Sequence, residues 1–411
     1  MCGLLHDLSV DGASGADRTS WRSRACRQVH SFRVGLLGVT VHSNKKDDGH
    51  AKISPAWISD PAVDEPVILS TRLRLARNLA HYPFPHLADD PTLKEIAALV
   101  ASTVDDPNAL SLRSLRPVNV SDLNDAQKAS LVDSHLVSML HVLSGRHRVA
   151  LVDEKHTVSI MINEEDHIRI QAILPGLMPE SALEEADRLD DALTRRLPIA
   201  YDPSYGYLTA SLANTGTGMR ISVMVHVPAI AFLEKLSVTW QAARALGTTV
   251  RGLYGEGGEQ DGDVFQISNS TTVGLTERQM VGRMKAVASF LQTEEESARY
   301  TMRRYRMPDV ENAVAAAEYS LKNAAALSAK EAMSLLSTLR MGEMLGIKTH
   351  VSHRMFCEML ASMRGSIGFI ANKKDRARDV FYEDTRRPAI LRNRLRLERA
   401  GRSSAQAAFG E

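Results

Sequence analysis

Three cysteines in 411 residues, Cys2, Cys26 and Cys357, are few and far apart. Odd in number and without a CxxC pair, they argue against a disulfide framework and a zinc site, and they fit a reducing cytoplasm. No apolar run approaches the length needed to cross a bilayer. The run Val34–Val41 is short and sits too far in for a signal peptide. An excess of one charge is missing too: 50 Lys and Arg stand against 49 Asp and Glu, a net charge of +1. The whole-chain field therefore gives no argument for nucleic acid or a membrane as partner. The sequence has no Walker loop, no Rossmann glycine fingerprint and no internal repeat.

The cations themselves are unevenly chosen, 37 Arg against 13 Lys. Genomic codon bias is one reading. The other is that a few guanidinium groups serve as planar phosphate clamps. The length allows two domains, each with its own core. Residues 1–52, dominated by Ser, Arg, Gly and Asp, read as a poorly structured extension. From 53 to 293 the texture is mixed. Val149–Val152, Val158–Ile162, Ile168–Ile173 and Ile221–Val227 read as strands. Ser181–Glu184 and Thr276–Gln279 read as capping boxes that open helices. Strands and helices do not alternate one for one, which favours an α+β fold over a doubly wound sheet. From 294 to 411 the strand signals stop. Val310–Leu327, a helix capped by Ser328–Glu331 and ending near Gly346, and Leu391–Arg399 predict a helical second domain.

Four segments carry residue types suited to chemistry. Asn163-Glu-Glu-Asp-His-Ile-Arg169 puts three carboxylates at a strand end, where they repel unless cations or a metal face them. It is either a solvated turn or a carboxylate poised to hold or deprotonate a cationic nucleophile. In Ser70-Thr-Arg-Leu-Arg-Leu75, Arg72 and Arg74 project from one face of a strand while Leu73 and Leu75 face the core. Paired guanidiniums there suit a polyphosphate, or else mark an exposed basic strand. Asn214, Gly216 and Gly218 make a tight turn before Arg220, either a plain hairpin turn or a close backbone approach to an anion. Arg251-Gly-Leu-Tyr-Gly-Glu256 opens a glycine-rich acidic loop, either an exposed hairpin or a loop that closes over substrate. Arg72, Arg74, Arg169, Arg220 and Arg251, with Glu165 and Glu256, supply the positioning and charge neutralisation that phosphoryl transfer needs.

Taken in order and spacing, these four motifs resemble the catalytic domain of the phosphagen (guanidino) kinases, over roughly 55–290. The resemblance implies an antiparallel sheet flanked by helices, of the glutamine-synthetase-like kind, and a reaction using ATP with Mg2+ on its phosphates rather than in a protein cage. It places the nucleotide against Ser70, Thr71, Arg72, Leu73 and Arg74, then His135, Arg169 and Arg220 with Ile221, Ser222, Val223 and Met224. It adds Arg251 with Gly252, Leu253, Tyr254, Gly255 and Glu256. His135, by itself a helix-surface histidine, becomes the histidine near the adenine. Glu165 corresponds to the carboxylate that binds the guanidinium, Glu256 to a second one, and Ser211 to a position that is usually cysteine.

Metabolic phosphagen kinases carry a helical N-terminal domain that selects a small guanidine. Here the first arginine motif already begins at Ser70, and a helical domain follows instead. That layout resembles the bacterial protein-arginine kinases. It implies protein arginines as substrates, a Clp-type ATPase and a small activator as partners, a homodimer, a stress-response role and a cytoplasmic setting. Free arginine or another small guanidine is the alternative substrate, and a weakened nucleotide- or phosphoarginine-binding adaptor is the alternative function. In the C-terminal region the family's phosphoarginine-binding motif aligns with Glu383–Pro388. Asp384 and Arg387 are kept, but Glu383 stands where an arginine is expected, and its carboxylate should repel a phosphate.

Overall fold

The computed structural model describes residues 56–58, 67–106, 109–112, 114–143, 145–252, 262–363 and 376–408. All lie within one compact unit, Val41–Glu411. The expected extension at 1–52, with Cys2 and Cys26, and the loop residues Leu253, Tyr254, Gly255 and Glu256 lie outside the described residues.

In chain order the elements are β1 (Ile68–Arg77), α1 (Asp90–Ala101), β2 (Leu115–Asn119), α2 (Asp125–Asp133), α3 (Met139–Leu143), β3 (Val149–Asp153), β4 (Val158–Ile162), β5 (Ile168–Pro175) and α4 (Pro179–Thr194). There follow β6 (Tyr201–Asp202), β7 (Gly206–Tyr207), β8 (Met219–His226), α5 (Pro228–Phe232), α6 (Leu236–Ala245), β9 (Thr248–Gly252) and β10 (Val264–Asn269). The rest is helical: α7 (Glu277–Tyr305), α8 (Met307–Asn323), α9 (Ala329–Met344), α10 (His353–Met363) and α11 (Arg376–Ala408). Eight strands form one sheet in the order β2-β3-β4-β5-β1-β8-β10-β9, antiparallel throughout, and β6 and β7 form a small hairpin. This is the expected α+β class, an antiparallel sheet flanked by helices.

Period-two alternation along β1 sets the two faces of the sheet. Leu73 and Leu75 are fully buried, and with Ile170, Ile221, Val223 and Ile267 they join α4 and α7 in one continuous core. Each such side chain taken from water stabilises the fold by roughly 2 kcal/mol. Arg77, an odd position on β1, is buried with this face and is neutralised by Asp190 of α4 at 2.7 Å. Arg72 and Arg74, the even positions, are on the other face and only half-buried.

Two expected capping boxes form. Thr276 and Gln279 bond reciprocally at the start of α7, and Ser328 and Glu331 do so at α9. The third does not. Pro179 at the first position starts α4 two residues before Ser181, whose hydroxyl is therefore past the cap; Met178 takes the cap position without a side-chain bond. The expected domain boundary at 293/294 falls inside α7, one helix from Glu277 to Tyr305. Among the described residues no helix is long and apolar enough to cross a membrane.

Candidate active site

Strand register gathers the predicted cations. Arg74 on β1 sits opposite Arg220 on β8, and Ala76 opposite Arg169 on β5. Arg72 pairs with Ser222, Ser222 with Ser268, Met224 with Gln266, and Gln266 with Arg251 on β9. Directly opposed residues share a face, so all five arginines lie on one side of the sheet. Burial, and then the charges of Arg72, Arg169 and Arg220, push the Arg74 guanidinium well below its usual pKa, against the pull of Glu164. Arg220 is lowered by burial and by Arg251 and Arg169. A guanidinium stays protonated at neutral pH even so. The result is crowded, charged donors, and the buried Nε atoms of Arg74 and Arg220 have no hydrogen-bond partner among the described residues. A polyphosphate supplies the acceptors and charge that such a face lacks.

Polar neighbours fix the clamp. Arg72 Nε donates to Gln171 Oε1 at 2.6 Å, and Gln171 Nε2 donates to the His135 carbonyl at 2.6 Å. Arg220 Nη2 donates to Ser268 Oγ at 3.2 Å. His135 is not on a helix surface. It follows α2 with φ +61°, is buried, and meets Trp57 edge-on at 5.3 Å.

The three carboxylates after β4 divide into separate roles. Glu164 is buried and shared by Arg169 Nη1 at 2.7 Å and the Ser138 hydroxyl. Burial alone would raise its pKa, but Arg169, then Ser138 and the Glu165 N–H, outweigh it and hold Glu164 below the usual carboxylate range. Glu165 keeps 40 % of its side chain exposed and accepts from Arg169 Nη2 at 3.0 Å. Its carboxylate is therefore open on one side to a further cation. Asp166 faces away and is buried, accepting from Asn78 Nδ2 and the Ala210 N–H, each at 2.7 Å.

That last bond docks the Ser211 loop against the carboxylate hairpin. Ser211 is half-buried, and its carbonyl accepts the Asn214 N–H at 2.9 Å and the Thr209 hydroxyl at 2.8 Å. Gly218 has φ +65°, and a Cβ there would lie 2.6 Å from the Ala76 carbonyl. The turn is thus a close approach of backbone to β1, which only glycine permits.

The structure sorts the remaining expected residues. Ser70, Ser222 and Met224 share the arginine face, whereas the side chains of Leu73, Ile221 and Val223 enter the core. Thr71 is spent on structure: its hydroxyl donates to the Gly176 carbonyl at 2.7 Å and accepts the Met178 N–H at 2.9 Å. Arg251 is exposed at the end of β9, beside the buried Gly252. Asp384 and Arg387 meet as an ion pair on α11, far along the chain, with Arg387 buried and donating to the Leu327 carbonyl at 3.1 Å. Gln171 is an addition to the sequence reading, and Glu164, Asp166 and Asn78 gain roles that the reading of their segments did not assign. Gln171 was findable, since it lies two residues beyond Arg169 on the same strand face.

Residues 95–298 match the family model described as ATP:guanido phosphotransferase, C-terminal catalytic domain, and 308–406 match the protein-arginine kinase McsB C-terminal domain. The chain is 33 % identical over 341 residues to a protein-arginine kinase of Halothermothrix orenii, covering 83 % of this chain and 96 % of that one. It is 36 % identical over 337 residues to the protein-arginine kinase of Pelotomaculum thermopropionicum, covering 82 % and 94 %. The chain belongs to the protein-arginine kinase family. Among solved structures, lombricine kinase superposes with a TM-score of 0.51 at 22 % identity, over 60 % of this chain and 72 % of that one. The duplicated taurocyamine kinase of Schistosoma mansoni, with bound transition-state analogue components, gives 0.50 at 22 % identity, over 56 % of this chain but only 33 % of that one. These two share the fold of this chain.

Proposed function

We propose that the chain transfers the γ-phosphoryl group of ATP to arginine side chains of proteins. The observation that carries this reading is the five-arginine sheet face with Glu165 at its margin, in a chain whose relatives of 33–36 % identity are named protein-arginine kinases. Arg72, Arg74, Arg169, Arg220 and Arg251 hold the triphosphate, and His135 lies toward the adenine. When bound with the nucleotide, Mg2+ would neutralise part of the phosphate charge that these arginines hold. The Glu165 carboxylate orients the acceptor guanidinium. A guanidino nitrogen then bonds to Pγ as the bond from Pγ to the β,γ-bridging oxygen breaks. ADP leaves with that electron pair, and the nitrogen's proton passes to Glu165. Ser211 and Glu256 belong to the acceptor side.

Residues 53–293 act as the catalytic domain and 294–411 as the helical C-terminal domain. A cytoplasmic homodimer, an activating partner and hand-over of marked proteins to a Clp-type ATPase belong to the same reading. The test is incubation with Mg-ATP and casein, and separately with free arginine. Acid-labile phosphate on casein is expected. Label on free arginine alone supports a small-guanidine kinase, and nucleotide binding without transfer supports an adaptor. Glu165→Gln should lower kcat by roughly a hundredfold to ten-thousandfold while nucleotide binding persists.

A further inference from the structure

A cleft of about 450 Å³ opens beside Glu165. Its lining joins Glu164, Glu165 and Ala210 to a separate segment, Leu140, Arg146 and Arg148. None of the five sheet-face arginines lines it. A guanidinium held by Glu165 therefore has this cleft beside it, where the chain bearing that guanidinium can lie. We propose that the cleft seats the residues flanking the acceptor arginine and selects segments that carry a carboxylate next to it. The inference rests on the kinase reading above and adds a substrate class to it.

Charge carries the argument. Glu164 is already shared by Arg169 and Ser138. Glu165 is the group that the acceptor guanidinium neutralises. With the acceptor seated, Arg146 and Arg148 are the charges left, among the described residues of the lining, to meet the flanking residues. Arg146 pairs with Asp90, but both side chains are more than half exposed, at 57 % and 55 %. Such a pair is weak and exchanges readily for another carboxylate. Arg148 is held from below. Its Nη1 donates to the Leu140 carbonyl, and its buried Nε has no hydrogen-bond partner among the described residues. A buried donor without a partner calls for an acceptor. Gly145 makes room for this arrangement: with φ +118°, a Cβ there would come within 1.9 Å of Arg148 Nε. Leu140, 49 % exposed, adds an apolar contact for the entering chain. A flanking lysine or arginine meets like charge in this cleft, and a flanking aspartate or glutamate meets its complement.

Three peptides test this, each with one arginine, identical except that the residues on either side are aspartate, alanine or lysine. At low ionic strength kcat/KM should fall from aspartate to alanine to lysine, about tenfold end to end and mainly through KM. Added salt should flatten the series. Arg146→Gln should narrow the spread about threefold, and Arg146→Lys should keep it. Equal kcat/KM for the three peptides, or an unchanged spread in Arg146→Gln, overturns the proposal and leaves the kinase reading standing. Transfer to none of the peptides and none to casein overturns both.

Discussion

At Ser211 a hydroxyl occupies the position where the resemblance leads one to expect a thiol. A thiolate adds negative charge beside a bound guanidinium, whereas a serine hydroxyl is neutral at pH 7. Ser211→Cys is therefore expected to raise the transfer rate several-fold in a steady-state assay on casein, and an unchanged or lower kcat counts against that role. The run Glu164-Glu165-Asp166 shows how far a string of residues can be read. Three adjacent acids read either as a solvated turn or as a site that cations or a metal must face, and Arg169 faces two of them. Which acid is buried, which is open and which turns away depends on the hairpin after β4. Asn163 there takes φ +60° and anchors through Nδ2 to the Leu93 carbonyl at 2.8 Å. Local spacing does not encode those partners, which lie tens of residues away.

Among the elements, the end of β1 does most to hold the site together. Asn78 donates through Nδ2 to Asp166 at 2.7 Å and to the Leu208 carbonyl at 3.0 Å, and its Oδ1 accepts the His167 N–H at 2.9 Å. One buried side chain thus joins β1, the carboxylate hairpin and the segment leading to Ser211. Asn78→Ala takes these partners from the Leu208 carbonyl and the His167 N–H and leaves Asp166 Oδ1 with the Ala210 N–H; losing three bonds should cost about 3 kcal/mol, read as a lower denaturation midpoint at unchanged m-value. The strands were legible because alternation and β-branched runs are local signals; β4 spans Val158–Ile162 as expected. The two boxes at Thr276 and Ser328 were legible for the same reason. Ser181 misled because a proline two residues earlier also starts a helix and takes precedence by fixing φ. The alternation that put Arg72 and Arg74 on one face says nothing about which strand lies beside them, so the meeting of Arg74 with Arg220 needed the sheet order.

For the whole molecule, buried histidines set part of the response to acid. Burial, reinforced by Arg148, holds His141 at about 3, and burial holds His167 at about 4, both below the usual 6.5. Between 6.5 and these values the unfolded chain binds the proton and the native chain does not, so stability is lost as pH falls through that window. Glu295 acts in the opposite sense. Burial raises its carboxyl to about 7, so the native state takes up that proton first and gains stability as pH falls from 7 toward 4.5. A single substitution separates the two. Relative to its own difference from wild type at pH 7.5, His141→Leu should gain by up to about 1.4 kcal/mol per pH unit below 6.5, measured by denaturation at several pH values. No change in that difference would mean that His141 is already solvated.

The arginine face has one further consequence. Cations packed side by side repel, and that repulsion adds to burial in lowering the pKa of Arg74 in the folded chain. A polyanion laid across them relieves it, so grip on the nucleotide and unease of the bare sheet are one quantity seen from two sides. Any change that calms the sheet, by removing one guanidinium, loosens the hold in the same stroke.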